Sequence, residues 1–272
     1  MCSRTSRVVI WLRRVLFAVA AYTLLSLGAC ALAPSLMFHP EYGHRRQPAG
    51  EKTLPMPDGT SIRALHLPNS QAVLTVWYFH GNAEDLGDIE PTLQRLHDAG
   101  FAVFAADYPG YGLSTRHSTE ESVYATARVA RDYLRRELHV PAAATVIFGR
   151  SLGGGPAVEM ATEERVAGLV LQSAFISAFR VMTHWRLLPG DPFQNLSKLP
   201  AVGCPVLVVH GRFDAVIPFY HGEALFGAAP EPKRSLWVDR AGHNDLPEAA
   251  GDAYWQALRE FSRLCANQPV AK

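Results

Sequence analysis

Residues 145–155 read Thr-Val-Ile-Phe-Gly-Arg-Ser-Leu-Gly-Gly-Gly, an apolar run that passes without a break into glycines. Thr145–Phe148 has the β-branched and aromatic content of a buried strand, and Gly154-Gly155 opens an expected helix through about Glu163. Between them Ser151 is flanked by Gly149 and Gly153. A strand that turns directly into a helix puts the residue at the bend in an unusual backbone region, and flanking glycines relieve the crowding. Such a turn lifts the Ser151 hydroxyl above the sheet. It also aims the Leu152 N–H at the space in front of that hydroxyl, beside a helix N-terminus. Gly-x-Ser-x-Gly alone is a modest signal, but on a strand-to-helix turn it marks Ser151 as a candidate nucleophile.

Outward from this turn, apolar β-type runs alternate with amphipathic segments. Thr53–Pro57 and Ser61–Leu67 flank Asp58-Gly59, a hairpin signal. Strands are expected at Ala72–Phe79, Phe101–Ala106, Val166–Leu171, Cys204–Val209 and Ser235–Val238. Helices are expected at Glu84–Ala99, Thr119–Leu138, Pro218–Phe226 and Leu246–Leu264. This pattern predicts an α/β fold, a mostly parallel twisted sheet with helices on both faces. Phe175 to Pro205, with Trp185, Pro189, Pro192 and Pro200, interrupts the alternation and reads as a short insertion over the active edge of the sheet.

A serine hydroxyl is a weak nucleophile unless a base lies within hydrogen-bond reach and a carboxylate orients that base. Asp214 follows the strand Val206–Val209, and His243 follows the strand Leu236–Val238. Both sit where a parallel strand gives way to its C-terminal loop, the functional edge of such sheets. Asp214 is therefore the expected acid and His243 the expected base. Asp239 and Asp245 compete for the acid's role, but neither follows a separate strand. His210 is expected to support its loop. The second oxyanion donor is expected in His80-Gly81-Asn82-Ala83-Glu84, from the backbone N–H of Asn82, with Ala83 as the alternative. Tyr108 and Tyr111 are candidates to line an acyl pocket.

With 26 basic and 25 acidic residues in 272, the formal charge is +1, so nothing points to nucleic acid. The 11 histidines show no metal-ligand spacing, and the four cysteines (Cys2, Cys30, Cys204, Cys265) form no C-x-x-C pair. Neither a metal nor an organic cofactor is expected. Cys204 and Cys265 read as buried thiols, with a disulfide between them as the alternative.

Residues 1–14 carry Arg4, Arg7, Arg13 and Arg14 and no acid, and Val15–Ala33 is uncharged. At 1.5 Å per residue such a helix is about 28 Å long, close to the thickness of a bilayer core. Two readings of residues 1–33 compete. One is a signal anchor with its basic end in the cytoplasm and residues 50–265 as an extracytoplasmic, periplasmic domain. The other is a cleaved signal peptide, since Leu27-Gly28-Ala29-Cys30 resembles a bacterial lipobox with Cys30 as the lipidated residue.

Taken together, His80-Gly81-Asn82, Asp107 to Ser114, Gly149 to Gly154, Asp214 and Gly242-His243 resemble the α/β-hydrolase superfamily. Within it they look most like the membrane-anchored Bem46-like hydrolases, a group with serine aminopeptidase-like or lysophospholipase-like domains. Leu36-Met37-Phe38-His39-Pro40 also resembles the lead-in to that domain. Some eukaryotic relatives in that group remove fatty acyl groups from cysteine thioesters. The resemblance implies two-step acyl transfer on a small-molecule or acyl-chain substrate. Peptidase and acyltransferase chemistry use the same triad. The insertion offers no acidic cluster to hold an amine, which ranks the peptidase lower. A catalytically dead binding protein is the reading from another class.

Overall fold

A computed structural model describes residues 2–183 and 189–267. Trp185 lies outside the described residues. Eight strands form one sheet: β1 (Lys52–Pro55), β2 (Ser61–Leu67), β3 (Thr75–Phe79), β4 (Ala102–Ala106), β5 (Thr145–Arg150), β6 (Gly168–Gln172), β7 (Val206–Gly211) and β8 (Lys233–Val238). Their order is β1-β2-β4-β3-β5-β6-β7-β8. The first two pairings, β1 with β2 and β2 with β4, are antiparallel and the remaining five are parallel. The expected hairpin closes at Asp58-Gly59, where Met56 N–H donates to the Thr60 carbonyl at 2.9 Å.

The helices are α1 (Cys2–Met37), α2 (Leu86–Asp98), α3 (Glu120–Arg136), α4 (Gly154–Glu163), α5 (Phe179–Met182), α6 (Asn195–Lys198), α7 (Tyr220–Ala228), α8 (Leu246–Ala250) and α9 (Asp252–Ala266). Alternate residues of each parallel strand face opposite sides of the sheet, so two separate cores form. Trp77, Phe79, Ile147, Leu169 and Val208 pack with α3 and α4 on one face. Val76, Tyr78, Val146, Phe148 and Val170 pack with α2 and α9 on the other. Side-chain caps set where α2 and α3 begin: Asp85 accepts from the Gly87 and Asp88 amides, and Thr119 from Ser122.

One expected element divides. Leu246–Leu264 is two helices because Gly251 adopts φ +54°, a left-handed conformation that ends α8 before α9 starts. The stretch from Phe175 to Pro205 carries α5, α6 and a further helical turn at Leu199–Ala201. Its Asp191 is buried and accepts from Ser177 Oγ at 2.6 Å and the Phe179 amide at 2.7 Å, which folds the segment back on its own start.

α1 has one stretch, Arg7–Leu32, long and apolar enough to cross a membrane, and it is almost wholly exposed. It continues past the expected end at Ala33 to Met37, carrying Pro34 within it.

Candidate active site

β5 ends at Arg150, and a helical turn, Ser151–Gly153, leads straight into α4. Ser151 adopts φ +52°, a left-handed conformation costly for a residue with a Cβ. The glycines beside it are dictated by close approach. A Cβ on Gly153 would lie 2.2 Å from the Phe79 carbonyl oxygen, and one on Gly149 would lie 2.6 Å from Ala157 Cβ. Thus β3, β5 and α4 converge too tightly at this corner for side chains, and the serine is held where the sheet ends.

The structure brings three sequence-predicted residues together from three different strand ends. Ser151 Oγ lies 3.0 Å from His243 Nε2, and His243 Nδ1 lies 2.8 Å from Asp214 Oδ2. With Nδ1–H donating to the carboxylate, Nε2 is free to accept the serine proton. The Asp214 carboxylate is fully buried, whereas Ser151 and His243 keep a sliver of exposure. Asp214 Oδ1 accepts from the Val216 and Ile217 amides at 2.9 and 2.7 Å. Burial favours its neutral form, but hydrogen bonds from His210 and His243 and the Ile217 amide win and hold it well below the usual carboxylate range.

His210 supports this loop, as expected. Its Nε2 is 2.9 Å from the Ile217 carbonyl and 3.4 Å from Asp214 Oδ2. The competing acids stand elsewhere. Asp239 pairs with Arg212 at 2.8 Å, and Asp245 accepts from the Gly242 amide at 2.7 Å, which shapes the loop behind His243.

The loop after β3, His80 to Glu84, is where the oxyanion donor is expected. The Asn82 and Ala83 amides donate to no protein acceptor among the described residues, and Ala83 adopts φ +61°. Leu152 is the second residue of the helical turn, where amides have no carbonyl ahead of them. The Asn82 side chain ties this loop to the end of α1. Its Nδ2 donates to the Met37 carbonyl at 2.7 Å, and its Oδ1 accepts from the His39 amide at 3.0 Å and from Tyr111 Oη at 2.5 Å.

Tyr108 and Tyr111 take a different place from the acyl pocket considered for them. Both are buried, Tyr108 Oη donates to the His80 carbonyl at 2.8 Å, and Tyr111 Oη braces Asn82. They brace the His80–Glu84 loop through these two bonds. His80 Nδ1–H donates to the Gly81 carbonyl at 2.7 Å, and its Nε2 faces Asp107 Oδ1 at 3.6 Å. Burial pushes the Asp107 carboxyl up and the His80 imidazole down, so both are held toward their neutral forms.

Sequence reasoning missed one network. Arg150, the variable residue before Ser151, forms an ion pair with Glu84 through Nη1 and donates through Nη2 to Asn244 Oδ1 at 2.7 Å. Glu84 also accepts from the Gly81 amide at 2.5 Å. Arg150 therefore joins the serine turn, the His80–Glu84 loop and the residue after His243. The available signal was a pair of opposite charges on two loops of the same sheet edge.

A family model described as the α/β hydrolase fold matches residues 75–200. The chain is 40% identical over 211 residues to alpha/beta hydrolase domain-containing protein aho-3 of Caenorhabditis elegans, covering 74% of this chain and 60% of that protein. It is 36% identical over 197 residues to alpha/beta hydrolase domain-containing protein 17B of Homo sapiens, covering 71% and 67%. In fold it is similar to an esterase from Pyrococcus furiosus, with a TM-score of 0.66 at 18% identity over 78% of this chain and 91% of that one. An esterase from Exiguobacterium antarcticum superposes with a TM-score of 0.61 at 17% identity, covering 78% and 99%.

Proposed function

The chain belongs to the α/β-hydrolase family, and on that premise we propose that it is a membrane-anchored serine hydrolase of carboxylic esters or thioesters. The observation that carries this reading is the hydrogen-bonded line Ser151–His243–Asp214 at the C-terminal edge of the parallel sheet. In the proposed reaction Ser151 Oγ attacks the acyl carbonyl while His243 Nε2 takes its proton. Asp214 keeps the imidazole in the required tautomer and stabilises the imidazolium. The Asn82 and Leu152 amides hold the oxyanion. His243 then gives its proton to the departing alcohol or thiol. Water, deprotonated by the same imidazole, releases the acid and restores Ser151. Hydrolase family membership supports a small-molecule substrate.

For the membrane, α1 supports the signal-anchor reading, with the basic N-terminal flank in the cytoplasm and the hydrolase domain outside. Tethering favours lipid-like or acylated substrates. The lipoprotein alternative makes a distinct prediction: a diacylated Cys30 as the first residue, which intact mass of the purified protein separates from an uncut chain.

The test of the chemistry is Ser151→Ala. Labelling by a fluorophosphonate and turnover of a p-nitrophenyl ester should both vanish. Labelling retained at the parent rate would falsify the assignment.

A further inference from the structure

Outside α1, the exposed large hydrophobic side chains among the described residues are Tyr42, Val73, Leu113, Met182, Phe213 and Val216. Single exposed hydrophobics are ordinary on a soluble surface. Their distribution here is not. Phe213 and Val216 bracket Asp214 at the end of β7, and Met182 closes α5 in the segment after β6. Leu113 follows β4 beside Tyr111, and Tyr42 packs on His39, whose amide donates to Asn82. All five belong to the edge that carries Ser151. Val73, just before β3, stands at the opposite edge. Met182 is 88% exposed and Phe213 73%, so most of their apolar surface is uncovered among the described residues.

α1 states which partner that edge meets. Its apolar stretch ends at Leu32, yet the domain touches it before that end. Cys30 Sγ lies 3.5 Å from the Pro189 carbonyl, and Ser26 is buried. Pro189, in the segment between β6 and β7, thus lies beside the last turns of the helix. Met37, five residues beyond Leu32 and so about 8 Å along the axis, bonds the oxyanion loop itself. The mouth of the site cannot stand far from the plane at which α1 leaves the bilayer.

We propose that this apolar rim lies in the bilayer interface, with Met182 and Phe213 inserted among acyl chains, so that Ser151 receives its acyl substrate laterally from the lipid phase. The proposal rests on reading Arg7–Leu32 as a membrane span. An acylated lipid or lipidated protein then presents its carbonyl without leaving the membrane. The rim shares its edge with the end of α1, where Met37 bonds Asn82 and Cys30 meets Pro189, and an edge joined to a membrane span favours a bilayer over a protein partner.

The test uses the full chain in phosphatidylethanolamine–phosphatidylglycerol vesicles. Phe17, Val73, Met182 and Phe213 are replaced one at a time by photoreactive p-benzoylphenylalanine, and lipid adducts are read by mass spectrometry after illumination. Positions 17, 182 and 213 should carry several-fold more lipid adduct than position 73. Adducts at 17 with none above the level of 73 at both 182 and 213 would overturn the proposal and leave the anchor standing. Protein–protein cross-links at 182 and 213 in place of lipid adducts would overturn it in favour of a second copy. No adduct at 17 would remove the span, and the proposal with it. Fluorophosphonate tagging of Ser151 in each sample reports that the domain is folded and active. Tagging lost in every sample, including the unsubstituted chain, would sink the hydrolase reading separately from the docking surface. Met182, remote from the acid loop in sequence, keeps the test decisive if a change at Phe213 disturbs Asp214.

Discussion

At the scale of the residue, the sharpest expectations concern groups that act on others. Asp214→Asn removes the acceptor that fixes the His243 tautomer. It should lower kcat by on the order of 10⁴-fold, the loss seen when a triad carboxylate of a serine protease becomes an amide. Steady-state kinetics on a soluble ester checks this. Among the described residues the Arg150 side chain has no hydrogen bond to Ser151 Oγ or His243, but it spans the two loops beside them through Glu84 and Asn244. Arg150→Met should lower kcat by about 10- to 100-fold, as small misplacements of positioned groups do, with KM for a small ester nearly unchanged. Arg150→Lys should recover part of the loss, because lysine can meet Glu84 but cannot also fork to Asn244. Equal kcat in Arg150→Met and the parent would show the tie to be structural only. The sequence announced Ser151, Asp214 and His243 because each follows its own strand. It did not announce Arg150, because nothing local tells a surface arginine from one that bridges residues 66 and 94 positions away.

At the scale of the element, the corner where β3, β5 and α4 meet is the least forgiving part of the fold. Gly153→Ala would drive a methyl into the Phe79 carbonyl at 2.2 Å, and backbone must move to admit it. A cost of about 3 kcal/mol is expected from such overpacking. For a domain of this size that is a fall in Tm of roughly 6–12 °C, measurable by calorimetry. Strand periodicity and glycine spacing made β5, the turn and α4 legible, since local pattern alone demands them. The break at Gly251 was less legible. Helical spacing runs through Leu246–Leu264, and only the backbone φ of one glycine divides it. Tyr108 and Tyr111 are buried against the His80–Glu84 loop and do not line an acyl pocket, because their direction depends on packing that no spacing reveals.

At the scale of the whole molecule, buried ionisable groups set how the protein meets its environment. Burial and the neighbouring His210 and Arg180 lower the His221 imidazole from 6.5 to about 4. The unfolded chain therefore takes up a proton that the folded chain refuses, and stability falls as pH drops from about 6.5 to about 4. The lowered Asp214 carboxyl acts in the same direction over a more acidic window, since its contribution is present above the unfolded carboxylate pKa of about 3.9 and is lost as pH falls below that. Denaturant titrations should thus show declining stability below pH 6.5. His221→Gln keeps an acceptor for the Ile176 amide and should flatten the upper part of that decline. Cys204 and Cys265 are buried, unpaired and pushed up to about 12 by desolvation. Iodoacetamide should leave both untouched in the folded protein and modify both in guanidinium, as intact mass will record.

The Asn82 side chain carries a practical consequence for anyone who wants the catalytic part in solution. It grips the Met37 carbonyl and the His39 amide, so the end of α1 and the residues just after it belong to the His80–Glu84 loop as much as to the helix. A truncation that removes the apolar helix should begin between Leu32 and Met37. Starting at the hairpin instead would free one wall of the site, and a weak enzyme would be mistaken for a weak activity.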